Sequence, residues 1–117
     1  MEKMFRDFTY IDDEVNSIES CCDKPTIINK NFAFLDPKPA VSFAPHMIFN
    51  LGSSKLVSLL GFIEKLEKEF QFKAIKDLKH IQPSDAEKTY ADIEKIKNWC
   101  NNTPKINFDD GIHNFAN

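Results

Sequence analysis

Asn50-Leu51-Gly52-Ser53-Ser54-Lys55-Leu56-Val57-Ser58-Leu59-Leu60-Gly61-Phe62-Ile63-Glu64-Lys65-Leu66-Glu67-Lys68-Glu69-Phe70 is the longest strongly amphipathic run in the chain. Apolar residues recur at Leu56, Leu59 and Leu60, Ile63, Leu66 and Phe70, the spacing of three and four that gives a helix one buried face. Ser53 or Ser54 stands where it can cap that helix, because a serine oxygen accepts from the unpaired amides of a first turn. On the opposite face Glu64 and Lys68, and Lys65 and Glu69, sit four apart, each pair worth about 0.3 kcal/mol. The run predicts the central helix of the fold.

Upstream, Met4, Phe8, Ile11, Val15, Ile18 and Cys22 alternate spacings of three and four, which predicts a first helix over residues 2–22 with a narrow apolar stripe. Asp12, Asp13 and Glu14 then read as a solvated face. A cation site needs a turn to bring its ligands together. From residue 23 to 50 the pattern changes. Pro25, Pro37, Pro39 and Pro45 exclude a continuous helix. Ile27-Ile28 and the runs at 32–35, 41–43 and 47–49 are either short strands or parts of a long ordered loop laid against the helices.

Downstream, Phe72, Ile75 and Leu78 are spaced by three, as in a short helix or 3₁₀ turn that Pro83 ends. Ser84 and Glu87 form a capping box for a helix carrying Ala86, Tyr90, Ile93, Ile96 and Cys100 on one stripe, stopped by Pro104 at the latest. Ile106, Phe108, Ile112 and Phe115 are isolated anchors in an Asn-rich tail. The sum is a mostly α fold: a small three-to-four-helix bundle with a long first loop, one helical domain over residues 1–100, and a C-terminal tail over 101–117.

The 117 residues suit one domain, and an apolar fraction of 42% with 28% charged residues is that of a soluble globular protein. A net charge of −3 and a single arginine, Arg6, argue against nucleic acid as a partner. No apolar run approaches the roughly 18 residues of a membrane span. The N-terminus lacks the apolar core of a signal peptide. Cys21, Cys22 and Cys100 fit no metal-ligand spacing and read as free thiols in a reducing cytoplasm, so a cytoplasmic location is expected. On that location the glycosylation-like Asn101-Asn102-Thr103 is set aside. Three glycines are too few for a Gly-rich phosphate cradle. His46, His80 and His113 are widely separated, which leaves no metal-ligand cluster. No acid–base pair or nucleophile stands out, and the expectation is a protein that is not an enzyme.

Leu51-Gly52-Ser53-Ser54-Lys55-Leu56, Glu67-Lys68-Glu69-Phe70 with Phe72 beyond, and Thr89-Tyr90-Ala91-Asp92-Ile93 together resemble the acyl or peptidyl carrier protein family. In that family Leu-Gly-x-Asp-Ser-Leu opens the second helix, and its serine is esterified with phosphopantetheine. The resemblance covers residues 50–99 and rests mainly on apolar spacing. It implies phosphopantetheine as cofactor on Ser54, or on Ser53, and a carrier function in which the pantetheine thiol holds an acyl group for partner enzymes. The aspartate before the family's serine is absent here. A Ser-Ser pair at a helix start also resembles STAS-like regulatory domains, which implies a small α/β fold with strands near 41–49 and 71–75. A non-enzymatic interaction or adaptor module is the second functional reading. Its ground is the count of 11 phenylalanines, more than a small core readily holds. Either way the expected partners are proteins, with a homodimer through an exposed phenylalanine patch among them.

Overall fold

The computed structural model describes residues 4–117 and contains two short strands and four helices. In chain order these are β1 (Phe5–Asp7), α1 (Ile11–Asp23), β2 (Leu56–Ser58), α2 (Leu59–Phe70), α3 (Glu94–Cys100) and α4 (Phe108–Ala116). The two strands pair antiparallel with Phe5 opposite Ser58, Arg6 opposite Val57 and Asp7 opposite Leu56. On its other edge β1 meets residues 87–89 through a parallel bridge between Phe5 and Lys88. There Phe5 N donates to Glu87 O at 2.9 Å, and Thr89 N donates to Phe5 O at 3.2 Å. The N-terminal strand is therefore the middle of the sheet, clasped by two segments far along the chain.

That sheet corrects the expected bundle of three or four helices. The first helix starts at Ile11, because Phe5–Asp7 are drawn into pairing; residues 2 and 3 lie outside the described residues. The central helix starts at Leu59. Its cap is Ser58, whose hydroxyl accepts from Gly61 N at 3.0 Å, and neither Ser53 nor Ser54 caps it. Residues 84–93 are not helical, since 87–89 bond to β1, and α3 is only seven residues long. Residues 71–82 form no helix. The supposed tail carries α4, capped by Asn107, whose side chain accepts from Asp110 N at 2.9 Å. It packs on α2 through an aromatic cluster. Phe8 stacks on Phe62 with centroids 4.4 Å apart, and Phe108 lies 5.9 and 6.1 Å from those two rings.

Residues 24–50 are an ordered loop with one isolated bridge, Val41 to Met47. Lys95 of α3 staples it: its ammonium donates to Ala40 O at 2.8 Å and Ile48 O at 2.9 Å while lying 5.5 Å from the Phe49 ring. Asp13, expected on a solvated face, is only 5% exposed. Its carboxylate accepts from Lys105 N at 3.0 Å and Ile106 N at 2.9 Å, tying α1 to the strand-like approach to α4. Burial of that acid is offset by two backbone donors.

Glu67 plays the same part for residues 71–78. It accepts from Lys76 at 2.6 Å, Lys73 at 2.9 Å and Ala74 N at 3.1 Å. Lys76 first and then Lys73 hold its carboxyl well below the usual range, at about 2, against the opposing effect of burial. Glu67→Gln should free this segment. Limited trypsin digestion should cut at Lys73, Lys76 and Lys79 about tenfold faster than in the wild type; equal rates would show that Glu67 does not hold it.

The whole is thin. The Cα radius of gyration is 18.3 Å, against about 13 Å for a compact domain of this length. The smallest principal extent is 14 Å, the depth of about two layers. The accessible surface is 8945 Å², against about 6,500 Å² for a compact monomer of this mass. Among the described residues Ile96 and Ile112 are the buried hydrophobic ones, whereas Ile11, Val15 and Ile18 of the α1 stripe are 59%, 45% and 55% exposed. Periodicity located this helix, but within this chain its apolar face is bare. Among the described residues no helix is long and apolar enough to cross a membrane.

Candidate functional site

The densest polar junction lies where β1, residues 52–55 and residues 89–91 converge. Its centre is Asp7. Oδ1 accepts from Ser53 N at 3.0 Å, from the Ser53 hydroxyl and, more distantly, from Lys55 N at 3.4 Å. Oδ2 accepts from Ser54 N and Ala91 N, each at 3.0 Å. Consecutive amides turned toward one point make an anion-binding concavity, and here a carboxylate of the same chain fills it. Partial burial works against the charge of Asp7. The Ser53 hydroxyl and the amides of Ala91, Lys55 and Ser53 outweigh it and leave the pKa below the ordinary value.

The loop is shaped for this contact. Ser54 has a φ of 54°, a left-handed conformation that serine seldom adopts, and its hydroxyl donates to Ala91 O at 2.7 Å. Gly52 passes so close that a Cβ there would collide with the Ala91 side chain and lie 2.8 Å from Asp7 Oδ2. Only glycine fits. The structure thus brings Ser53 and Ser54 together, half-buried, around an aspartate 46 residues upstream of Ser53. Both hydroxyls donate to acceptors of the same chain, and neither opens a helix.

Beside the junction is an open polar cleft of 420 Å³, lined by Asp7 and residues 49–51 and 89–91. Arg6 projects from the adjoining position of β1. Its Nη1 donates to Phe5 O at 2.9 Å and Glu87 O at 3.4 Å. Among the described residues no acceptor pairs with its Nη2 or Nε, so the guanidinium keeps donors in a fixed fork. Lys88 lies over the Phe5 ring at 5.7 Å, which places a second cation on the same pair of segments. Nothing here resembles a nucleophile with its base. The arrangement offers positioned cations, and a guanidinium fork is of a shape that suits a phosphate or carboxylate.

Sequence reasoning passed over Arg6 and Asp7. The available signal was Arg6-Asp7-Phe8, with the only arginine of the chain beside an acid among aromatics just before a helix. A helical reading of residues 2–22 concealed it.

No protein-family model matches the chain. It is 34% identical over 113 residues to the CapI protein of Staphylococcus aureus, a match covering 97% of this chain and 34% of that protein. It is 32% identical over 113 residues to UDP-glucuronate 4-epimerase of Thermodesulfobacterium geofontis, covering 96% of this chain and 29% of that protein. Among solved structures it is similar to a mutant UDP-glucuronic acid 4-epimerase from Bacillus cereus in complex with UDP-4-deoxy-4-fluoro-glucuronic acid and NAD. That likeness has a TM-score of 0.70 at 25% identity and covers 94% of this chain and 30% of that one. The chain spans about a third of the length of the curated relatives it matches.

These likenesses overturn several expectations. The fold is a piece of α/β architecture and not a mostly α bundle. The carrier reading falls, because the relatives include a sugar-nucleotide epimerase and no carrier protein. Phosphopantetheine falls with it, since the matched structure holds NAD. The expectation of a non-enzyme is likewise corrected, because the relatives named by activity are enzymes. The physical cause of the error is plain: apolar spacing after Leu51-Gly52 records an apolar helix face, which carrier domains share with many folds.

Proposed function

We propose that this chain supplies the nucleotide-sugar-binding portion of an NAD-dependent 4-epimerase acting on a UDP-hexuronic acid such as UDP-glucuronate. The observation that carries the proposal is the match along nearly the whole chain to UDP-glucuronate 4-epimerases, in sequence and in fold. The residues present do not fit NAD. Gly52, Gly61 and Gly111 are scattered, and among the described residues no strand–Gly-rich turn–helix unit exists to cradle its phosphates. The dinucleotide therefore belongs to a complementary part, against which the bare face of α1 packs.

What this chain offers is Arg6. An arginine fork held at a sheet strand, with donors to spare and Lys88 on the neighbouring segment, is chemically matched to a diphosphate. The Asp7 junction fixes the strand that carries it.

A chimera tests the reading: this chain replaces the corresponding third of the Bacillus cereus UDP-glucuronic acid 4-epimerase. Interconversion of UDP-glucuronate and its 4-epimer is expected. Arg6→Ala in the chimera should weaken UDP-glucuronate binding about 100-fold while NAD stays bound, a loss of the size expected for charge-assisted phosphate contacts. A folded, NAD-loaded chimera that neither binds nor converts UDP-glucuronate would overturn the reading.

A further inference from the structure

We propose that Cys21 and Cys100 form a reversible dithiol–disulfide site, oxidised by a low-molecular-weight disulfide of the glutathione class, that covalently ties α1 to α3. The two sulfurs come from helices 79 residues apart and already lie 3.7 Å from each other. Their surroundings hold them there. On one side the Trp99 indole donates to Lys24 O at 2.9 Å. On the other the Asn102 amide donates to Asn16 O at 3.0 Å and to the Ser20 hydroxyl at 2.9 Å. The helix ends are thus fastened on both flanks of the sulfur pair, and a disulfide asks only for the sulfurs to approach within an otherwise formed contact. Both residues are half-buried, reachable by a small reagent yet shielded from bulk solvent.

Cys22 is the natural competitor. It is exposed, and a bond to its neighbour Cys21 would strain the peptide between them. Burial and the proximity of Cys100 raise the Cys21 pKa, so at neutral pH Cys21 rests as a thiol until a suitable disulfide is supplied.

The chemistry proceeds by two exchanges. One protein thiolate attacks a sulfur of the reagent, forming a mixed disulfide and expelling one reagent thiolate. The second protein thiolate attacks the protein sulfur of that mixed disulfide and expels the other. The protein dithiol loses two electrons and two protons; the reagent disulfide gains both and leaves as two thiols.

The test incubates the full chain with oxidised glutathione and reads intact mass and non-reducing peptide maps for wild type, Cys21→Ser and Cys22→Ser. Wild type and Cys22→Ser should lose the mass of two hydrogens and show a link to Cys100, reversed by dithiothreitol. Cys21→Ser should form such a link at least about tenfold more slowly, because geometry sets the effective concentration. In concentrated urea, where the helices are gone, the two variants should become equivalent. Equal linking by both variants in native buffer would overturn the proposal, as would stable mixed disulfides without an internal bond.

Discussion

Asp7→Asn is expected to open the junction of β1, the 52–55 loop and residues 89–91 as badly as Asp7→Ala. Asp7 Oδ2 receives two backbone amides and Oδ1 receives a third and a hydroxyl. An asparagine NH₂ in place of either oxygen would put donor against donor, leaving half-buried amides unsatisfied. Bonds to a charged acceptor are worth about 1.5–3 kcal/mol each in isolation. They are not additive, and the site is partly open to solvent, so a net loss of about 2 kcal/mol is the reasonable magnitude. Measured by hydrogen exchange, protection of the Ser53, Ser54 and Ala91 amides should fall about 30-fold. Unchanged protection would show that the loop is held by Gly52 packing alone.

The same carboxylate sets a pH dependence. Its folded pKa lies below its ordinary value, so its stabilisation is complete above about pH 4 and is lost as pH falls through the folded value. Amide protection at the junction should hold from neutral pH to about pH 4 and then decline as the carboxylate takes up its proton. In Asp7→Asn that acid step should be missing.

The other large expected effect concerns the bare surface. The chain exposes about 2,400 Å² more than a compact monomer would, an amount on the scale of a permanent interface. Ile11, Val15 and Ile18 share one face of α1, and exposed apolar patches of that kind seek a partner. Purified alone, the chain should bind an apolar dye strongly and self-associate at micromolar concentration. Ile11→Lys with Ile18→Glu should abolish most of the self-association without loss of helix content. Adding the complementary two-thirds of a relative such as CapI should suppress the dye signal for wild type but not for the double variant. A monodisperse, dye-silent wild-type chain in sedimentation would show that the slab is self-sufficient.

How far the sequence foretold this varies by element for physical reasons. The periodicity of Leu59, Ile63, Leu66 and Phe70 correctly located α2, and that of Ile11, Val15 and Ile18 located α1, because a 3.6-residue period is a strong local signal. It carried no information on what covers the face. β1 is three residues long, too short for an alternating pattern, and Met4 and Phe8 fall into the helical register of α1 by coincidence. The Ser84–Glu87 capping box was a sound local signal overridden by pairing with β1. Ser53 and Ser54 were singled out as a cap or an attachment site, but their partner is Asp7, and contacts of that separation leave no trace in local spacing. Arg6 became visible only once a strand was seen to carry it.

The clasp on β1 also fixes when this protein can take shape. Asp7 must wait for Ala91, 84 residues later. At about 5–20 residues per second of synthesis, the strand emerges from the ribosome roughly 4–17 seconds before its last partner exists. Until Leu56–Ser58 emerge Phe5 has no strand to pair with, and α1 and α2 are the helices that can form from local contacts before residue 91 is made. β1 and the apolar stripe of α1 are therefore exposed to aggregation through that interval, and they are where a chaperone would be expected to hold the chain.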